Sequence, residues 1–409
     1  AGHGAGCQVS AGGEALPTLP GDDATSDEDA GETAAGEDAE ASTDSSSSEA
    51  GDGDGDGDGN GDGDGDGDSS ETTGPPEDDP ECGDGDGDGD GDGDGDGWMP
   101  DPDCEAPEVY VECDATSSDP FHAIGLNCSD DPSETIPLAN ANFVAADPLS
   151  WSIAASYGDA YDCDGNPLWV PREGERLLVI TTGNLGPLDP STGNLSLGIG
   201  STQSNNGSNA NDNPDQQLLP APISPVDGSG GTPNLDCDGV NDCSDSIQSQ
   251  WELGGAMAND LLYFEFEVTV PQGVEGYRFD FAWFSAEYPE YVDTQYNDVF
   301  MVWAVGTEFT GNMSFVGDEP LTATGLKNHI RWPQSSPRLD GTGFEGVGGG
   351  TDWAQARGVA VPGETLHLTF AIFDMGDTRF DTTALIDNFR WECDGCDPTI
   401  PGDCGALPE

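Results

Sequence analysis

Residues 51–68 read GDGDGDGDGNGDGDGDGD and residues 83–97 read GDGDGDGDGDGDGDG. No chain can build a core from such a stretch, because it holds no apolar side chain to set against the entropy of ordering it. The bias extends across residues 1–103, which carry 34 of the chain's 82 Asp and Glu residues and none of its nine Lys and Arg. Glycine softens this backbone and like charges push it open, so residues 1–103 are expected to form a disordered, extended acidic stalk. A calcium-binding β-roll would need an apolar residue at each turn, which the Gly-Asp runs lack. Calcium is expected there only as a loose counterion.

The remaining residues, from 104 on, keep 48 acidic side chains against nine basic ones, a net charge near −39. The field of such a protein repels nucleic acid and anionic membrane surfaces and favours cations. No run of 18 apolar residues occurs, so no transmembrane segment is expected. The chain starts at Ala1 without an apolar signal core, which suggests an export signal already removed. Gly4-Ala5-Gly6-Cys7 has the look of a bacterial lipobox, making Cys7 a lipidation candidate and the source of a possible N-terminal lipid anchor.

Eleven cysteines with only one CxxC pair (Cys393 and Cys396) and four scattered histidines fit disulfides of an exported protein better than zinc. The disulfide candidates are Cys104, Cys113, Cys128, Cys163, Cys237, Cys243, Cys393, Cys396 and Cys404. Cys237 with Cys243 would close a small loop, and Cys163 would reach across to another element.

Beyond the stalk the pattern is that of strands. Leu262, Phe264, Phe266, Val268 and Val270 alternate with Glu265, Glu267 and Thr269, so one face of the segment is apolar. Gly276–Phe284 alternates in the same way, with Arg278 and Asp280 outward. Leu366, Leu368, Phe370 and Ile372 form another inward row, opposed by Thr365, His367 and Thr369. Further strands are expected at Glu175–Thr182, Asp298–Val305 and Thr382–Trp391. No long segment has a 3.6-residue period. The expected fold is an all-β, antiparallel β-sandwich of jelly-roll type. Residues 104–235 are read as its N-terminal part, with a long Asn/Ser/Gly loop inserted over Gly183–Leu235. Residues 236–396 form the main sandwich, and residues 397–409 a short Cys-containing tail.

Two connections between strands are rich in oxygen ligands. Phe284–Phe300 carries Glu287, Glu290, Asp293, Asn297 and Asp298, and the stretch after Ile372 carries Asp374, Asp377 and Asp381. Carboxylates and an amide oxygen at this density can supply the six to eight oxygens that calcium takes, whereas magnesium demands rigid octahedral geometry. If both connections lie at one end of the sheets, their oxygens converge. The alternative is a solvated acidic loop over packed tyrosines. A D-C-D-G pattern recurs at 162–165 and 236–239, and in the second copy Asp236, Asp238, Asn241 and Asp242 are calcium-ligand candidates. That copy resembles half of a thrombospondin type 3 repeat but lacks the distal Glu of a full loop; two disulfide-fixed turns are the other reading. No H-E-x-x-H, G-x-S-x-G or P-loop string occurs, so no enzyme is expected. A carboxylate pair of glycosidase type remains open, because acids are abundant everywhere.

The segment Asp236–Trp391 resembles the choice-of-anchor L domain of bacterial surface and secreted proteins. The resemblance is carried by FAWFSAEYPEYV (281–292), YNDVF (296–300), VPGETLHL (361–368) and AIFDMGD (371–377). It implies a β-sandwich displayed at the surface and no established reaction. Acidic Gly-Asp stalks of this kind look like those of myxobacterial proteins, which implies the outer envelope of a Gram-negative cell. The expected function is therefore adhesion: a calcium-stabilised sandwich on an acidic stalk, binding a glycan or a surface protein. The alternatives are a secreted polysaccharide hydrolase and a purely structural coat protein.

Overall fold

A computed structural model describes residues 104–202, 211–229, 234 and 237–407. The stalk, Cys7 and Asp236 lie outside these residues. The strands are β1 (Ala139–Val144), β2 (Trp151–Ala154), β3 (Ser156–Tyr161), β4 (Pro167–Trp169), β5 (Leu177–Thr181) and β6 (Asn194–Leu195). A short helix α1 (Gln248–Leu253) leads into β7 (Ala258–Thr269), β8 (Gly276–Ser285), β9 (Val299–Val305), β10 (Thr310–Asn312), β11 (Phe315–Val316) and β12 (Glu319–Pro320). The last strands are β13 (Gly349–Gly350), β14 (Ala354–Val359), β15 (Thr365–Met375), β16 (Thr382–Glu392) and β17 (Gly405–Leu407).

Two antiparallel sheets carry the fold. One has the order β1-β7-β15-β9-β10, the other β17-β14-β8-β16-β5-β2. The long strands β7, β8, β9, β14, β15 and β16 alternate between the sheets, so each connection crosses from one sheet to the other, as in a jelly roll. Residues 139–181 complete both sheets: β1 pairs β7, and β5 pairs β16.

The alternating rows pack against each other between the sheets. Leu262, Phe264, Phe266, Val268, Leu368, Phe370 and Ile372 face Tyr277, Phe279, Phe281, Trp283, Ile386 and Phe389 in one buried cluster. Phe370 stacks on Phe264 at 4.7 Å and meets Phe279 of the opposite sheet at 5.1 Å. The outward rows are less polar than alternation alone implies. His367 is half-buried and meets Glu265 across the strands at 3.1 Å. Further along β15, Ala371 and Phe373 are fully buried beneath Trp251 of α1 and Ile223. The outer face of the other sheet is covered too, by β3, β4, β6 and the segment around Phe344.

Disulfides join Cys104 to Cys393, Cys113 to Cys128, Cys237 to Cys243 and Cys396 to Cys404. Cys163 is disulfide-bonded as well. The two cysteines of the CxxC thus take different partners. Among the described residues no helix is long and apolar enough to cross a membrane.

Candidate functional site

The register of the two sheets brings six strand ends together. In one sheet the end of β15 meets the start of β7 (Met375 opposite Ala258) and of β9 (Phe373 opposite Val299). In the other, the start of β16 meets the end of β8 (Thr382 opposite Ser285) and of β5 (Thr383 opposite Thr181). The connections β8–β9 and β15–β16 therefore both bridge the sheets at this end. Each strand end carries an oxygen-bearing side chain: Glu287 follows β8, Asp298 precedes β9, Asp374 closes β15, Asp381 precedes β16, Asp260 opens β7, and Thr182 follows β5.

These acids are buried. Asp298 is 0% exposed, Glu287, Asp374 and Asp260 1% each, and Asp381 3%. Glu287 Oε2 accepts the backbone N–H of Asp298 at 2.7 Å, and the Thr182 hydroxyl reaches Asp298 Oδ2 at 3.4 Å. Asp298 and Asp374 act on each other's ionisation. Yet Glu287 Oε1, Asp298 Oδ1, Asp374 Oδ1 and both oxygens of Asp260 make no hydrogen bond of ordinary geometry. Burial raises the pKa of Glu287, Asp298 and Asp374 well above the usual carboxylate range, and neighbouring carboxylates add to it. Asp260 is pushed up to about 7, by burial first and then by Asp215. Among the described residues, no Lys or Arg is among the main groups acting on these four.

The backbone around the cluster is tightly fixed. Thr182 Oγ1 accepts from Thr382 N at 2.9 Å, and Asp381 donates its N–H to Thr202 O at 2.9 Å. The Asn211 amide donates to the carbonyls of Thr182 (2.7 Å) and Gly183 (3.1 Å), tying the long loop to the same end.

Not every expected residue joins this group. Glu290 is exposed. Asp293 points outward to Lys327 Nζ at 2.7 Å. Asn297 is buried, but its amide is used in bonds to Gln250 (2.7 Å) and to Thr324. Asp377 is half-buried, caps the Arg379 N–H at 3.2 Å, and feels Asp298 and Glu287 only through space. In the D-C-D-G segment the residues separate. Asp238 is exposed and closes a turn by accepting from Val240 N and Asn241 N, which holds its pKa below the ordinary value. The Asn241 oxygen accepts from Ser224 at 2.9 Å. Asp242 is fully buried with both oxygens occupied, by Ser244, Asn312, Ser246 and Ile247. That carboxylate organises the loop before α1 and has no free valence for an ion.

Asp260 was not expected. It lies where β7 carries one residue more than β15, between the pairs Ile372–Leu262 and Asp374–Asn259, and has φ +51°. A bulge of this kind turns a side chain away from its alternation face, here into the cluster. A polar Asn-Asp pair at the head of an apolar strand is the sequence signal for it.

The ligand atoms do not close around one point: among the described residues no group of three or more His, Cys, Asp or Glu side chains is arranged as a metal shell. The arrangement is a cluster of buried carboxylates with raised pKa values, all-oxygen groups of the kind that hard divalent cations bind in place of protons. No family model, curated protein or solved structure matches the chain.

Proposed function

We propose that the protein is an exported, surface-displayed binding module whose sandwich is organised at one end by calcium. The observation that carries this is the set Glu287, Asp298, Asp374 and Asp260: four carboxylates almost fully buried, with unsatisfied oxygens and, among the described residues, no Lys or Arg among the main groups acting on them. A buried carboxylate without a hydrogen bond or counter-charge is costly. A divalent cation offsets that cost, and an all-oxygen set of carboxylates and a hydroxyl suits calcium better than magnesium, which demands near-ideal octahedral geometry. The role of the ion is to clamp β8–β9 to β15–β16 and so fix the loops at that end as a binding surface. Surface display rests on the disulfides, which belong to oxidising compartments, and on the resemblance to choice-of-anchor L domains.

The depth of the acids argues against a polysaccharide hydrolase built on them. A glycosidase pair must touch its substrate, and Asp298 and Asp374 are at most 1% exposed.

Thermal unfolding of the oxidised full chain tests the reading, in EDTA and then across micromolar to millimolar calcium. A ligand bound only by the folded state raises stability as RT ln(1 + [L]/Kd). The expected result is a saturating rise that magnesium does not reproduce and that Asp298→Asn abolishes. A flat response would remove calcium from the function.

A further inference from the structure

Basic side chains are scarce in this chain, and most of them are paired. Arg172, Arg278, Lys327, Arg357 and Arg390 each meet a carboxylate at between 2.7 and 3.7 Å. Arg176 differs. Among the described residues its guanidinium makes neither an ion pair nor a hydrogen bond, although the residue is half-buried. Asp114, the carboxylate bonded to the same turn, accepts the backbone N–H groups of Glu175 and Arg176 and not the guanidinium. A half-buried cation in this position loses hydration without a bond in return. Its planar fork matches a carboxylate through two parallel hydrogen bonds.

Arg176 lines a cleft of about 440 Å³ beside β2, the edge strand of its sheet. Small-molecule sites span about 300–1,000 Å³. No Asp or Glu lines this cleft, although residues 104–409 carry 48 of them. A cleft elsewhere on the molecule is lined by Glu275, Glu308, Asp397 and Asp403. The hydroxyls of Thr116, Ser118 and Ser152 border the space beside Arg176, and none of them makes a hydrogen bond among the described residues. Ser117 is already engaged, with His122 Nδ1 at 2.7 Å and the N–H of Asp119 at 3.0 Å. Trp151 and Pro148 supply apolar surface, and Phe143 packs against the Trp151 ring at 4.8 Å.

We propose that this cleft binds a glycan through a sugar that carries one carboxylate, a uronic or sialic acid. Arg176 takes the carboxylate, the three hydroxyls meet those of the sugar, and Trp151 and Pro148 meet its C–H face. One base in an acidic protein sets the ligand's charge at one, because the surrounding field turns a polyanion away. A peptide strand added to β2 fits less well. The strand offers a ladder of only four residues, Trp151–Ala154, and such a peptide has no use for the hydroxyls. The cleft shares no residue with the acidic end, so the inference stands apart from the calcium reading.

Titration calorimetry on the oxidised full chain tests it, in calcium and in EDTA, at a temperature where the chain is folded in both. The probes are sialyllactose and glucuronosyl-xylobiose, with lactose and xylotriose as neutral counterparts, and a short peptide with a free C-terminal carboxylate. An acidic sugar is expected to bind in both buffers, about tenfold or more tighter than its neutral counterpart. Arg176→Gln should weaken that binding by about ten- to hundredfold, the loss of a charge-assisted bond, and Ser152→Ala by a few-fold. Arg176 has no partner to lose, so the melting temperature of Arg176→Gln should equal that of the native chain. Arg172→Gln removes an equal charge and should leave binding unchanged. The proposal is overturned if neither acidic sugar binds, if the neutral sugars bind as well, or if Arg176→Gln binds like the native chain. It is overturned also if the peptide binds through Arg176 and the sugars do not. Binding that disappears in EDTA would place the ligand at the acidic end, removing this cleft and leaving the calcium reading in place.

Discussion

Gly183 lies so close to the Asp381 carboxylate that a Cβ added to it would fall on the carboxylate oxygens. The contact joins the residue after β5 to the residue before β16, at the end where the acids gather. Gly183→Ala must push Asp381 away or shift the backbone that Asn211 holds. A loss of about 1–3 kcal/mol is expected, the usual cost of overpacking a buried site. The calcium-dependent rise in melting temperature should shrink with it. Denaturant unfolding with and without calcium measures both.

Calcium should remove the pH dependence of stability in the acidic range. Glu287, Asp298 and Asp374 have folded-state pKa values raised by burial and by each other, and Asp260 is pushed up to about 7. A raised folded pKa means that the folded state holds its proton longer than the unfolded state does. Stability is then greatest below the unfolded carboxylate range and falls as pH rises towards the folded values. In EDTA the melting temperature should therefore drop between about pH 4 and pH 7. With saturating calcium the ion replaces the protons, and the drop should vanish or reverse. Asp298→Asn should flatten the EDTA profile relative to the native protein, which separates the cluster from the general repulsion of an acidic chain. Scanning calorimetry across this pH range provides the check.

Glu290 and Asp293 sit in the same acidic connection as Asp298 but face solvent, Asp293 beside Lys327. Exposed pairs of this kind contribute about 0–1 kcal/mol. Glu290→Gln and Asp293→Asn are expected to leave the calcium response unchanged and stability nearly so. Equal loss of the response in these variants and in Asp298→Asn would mean that the loop acts as diffuse charge and not as a site.

The bond between Cys104 and Cys393 closes a separation of 289 residues. Replacing both cysteines by serine should cost about 2–5 kcal/mol, the range for native disulfides in exported domains. The Cys237–Cys243 bond spans only six residues, so its removal should cost less, since loop-closure entropy grows with length. Urea midpoints of the two double variants give the comparison.

What the sequence makes legible follows from what periodicity can encode. Strand residues obey a period of two, and the rows at Leu262–Val270 and Leu366–Ile372 face inward as alternation requires. The two acidic connections are also visible as acidic, and their shared end follows once the strands are placed. Side-chain direction inside an irregular connection has no period. Nothing in EYPEYVDTQYND distinguishes Glu287, which turns in, from Glu290, which turns out. Asp260 is hidden for a related reason: only the extra residue in β7 aims it at Asp374. The D-C-D-G segment shows the converse. Its spacing suits an ion, but the hydroxyls and amides of residues 244–247 reach Asp242 first.

The Cys104–Cys393 bond has a mechanical meaning. Cys393 follows directly on β16, which runs from the acidic end at Thr382 to the opposite end at Glu392, between β8 and β5. A pull on any tether ahead of residue 104 enters the fold at this bond and travels along β16 without first unravelling residues 105–392. If the resisting load is held at the acidic end, the ladders on both sides of β16 are sheared lengthwise and must yield together. They cannot be peeled apart one bond at a time. Such a load path makes the module a strong link in a chain under tension.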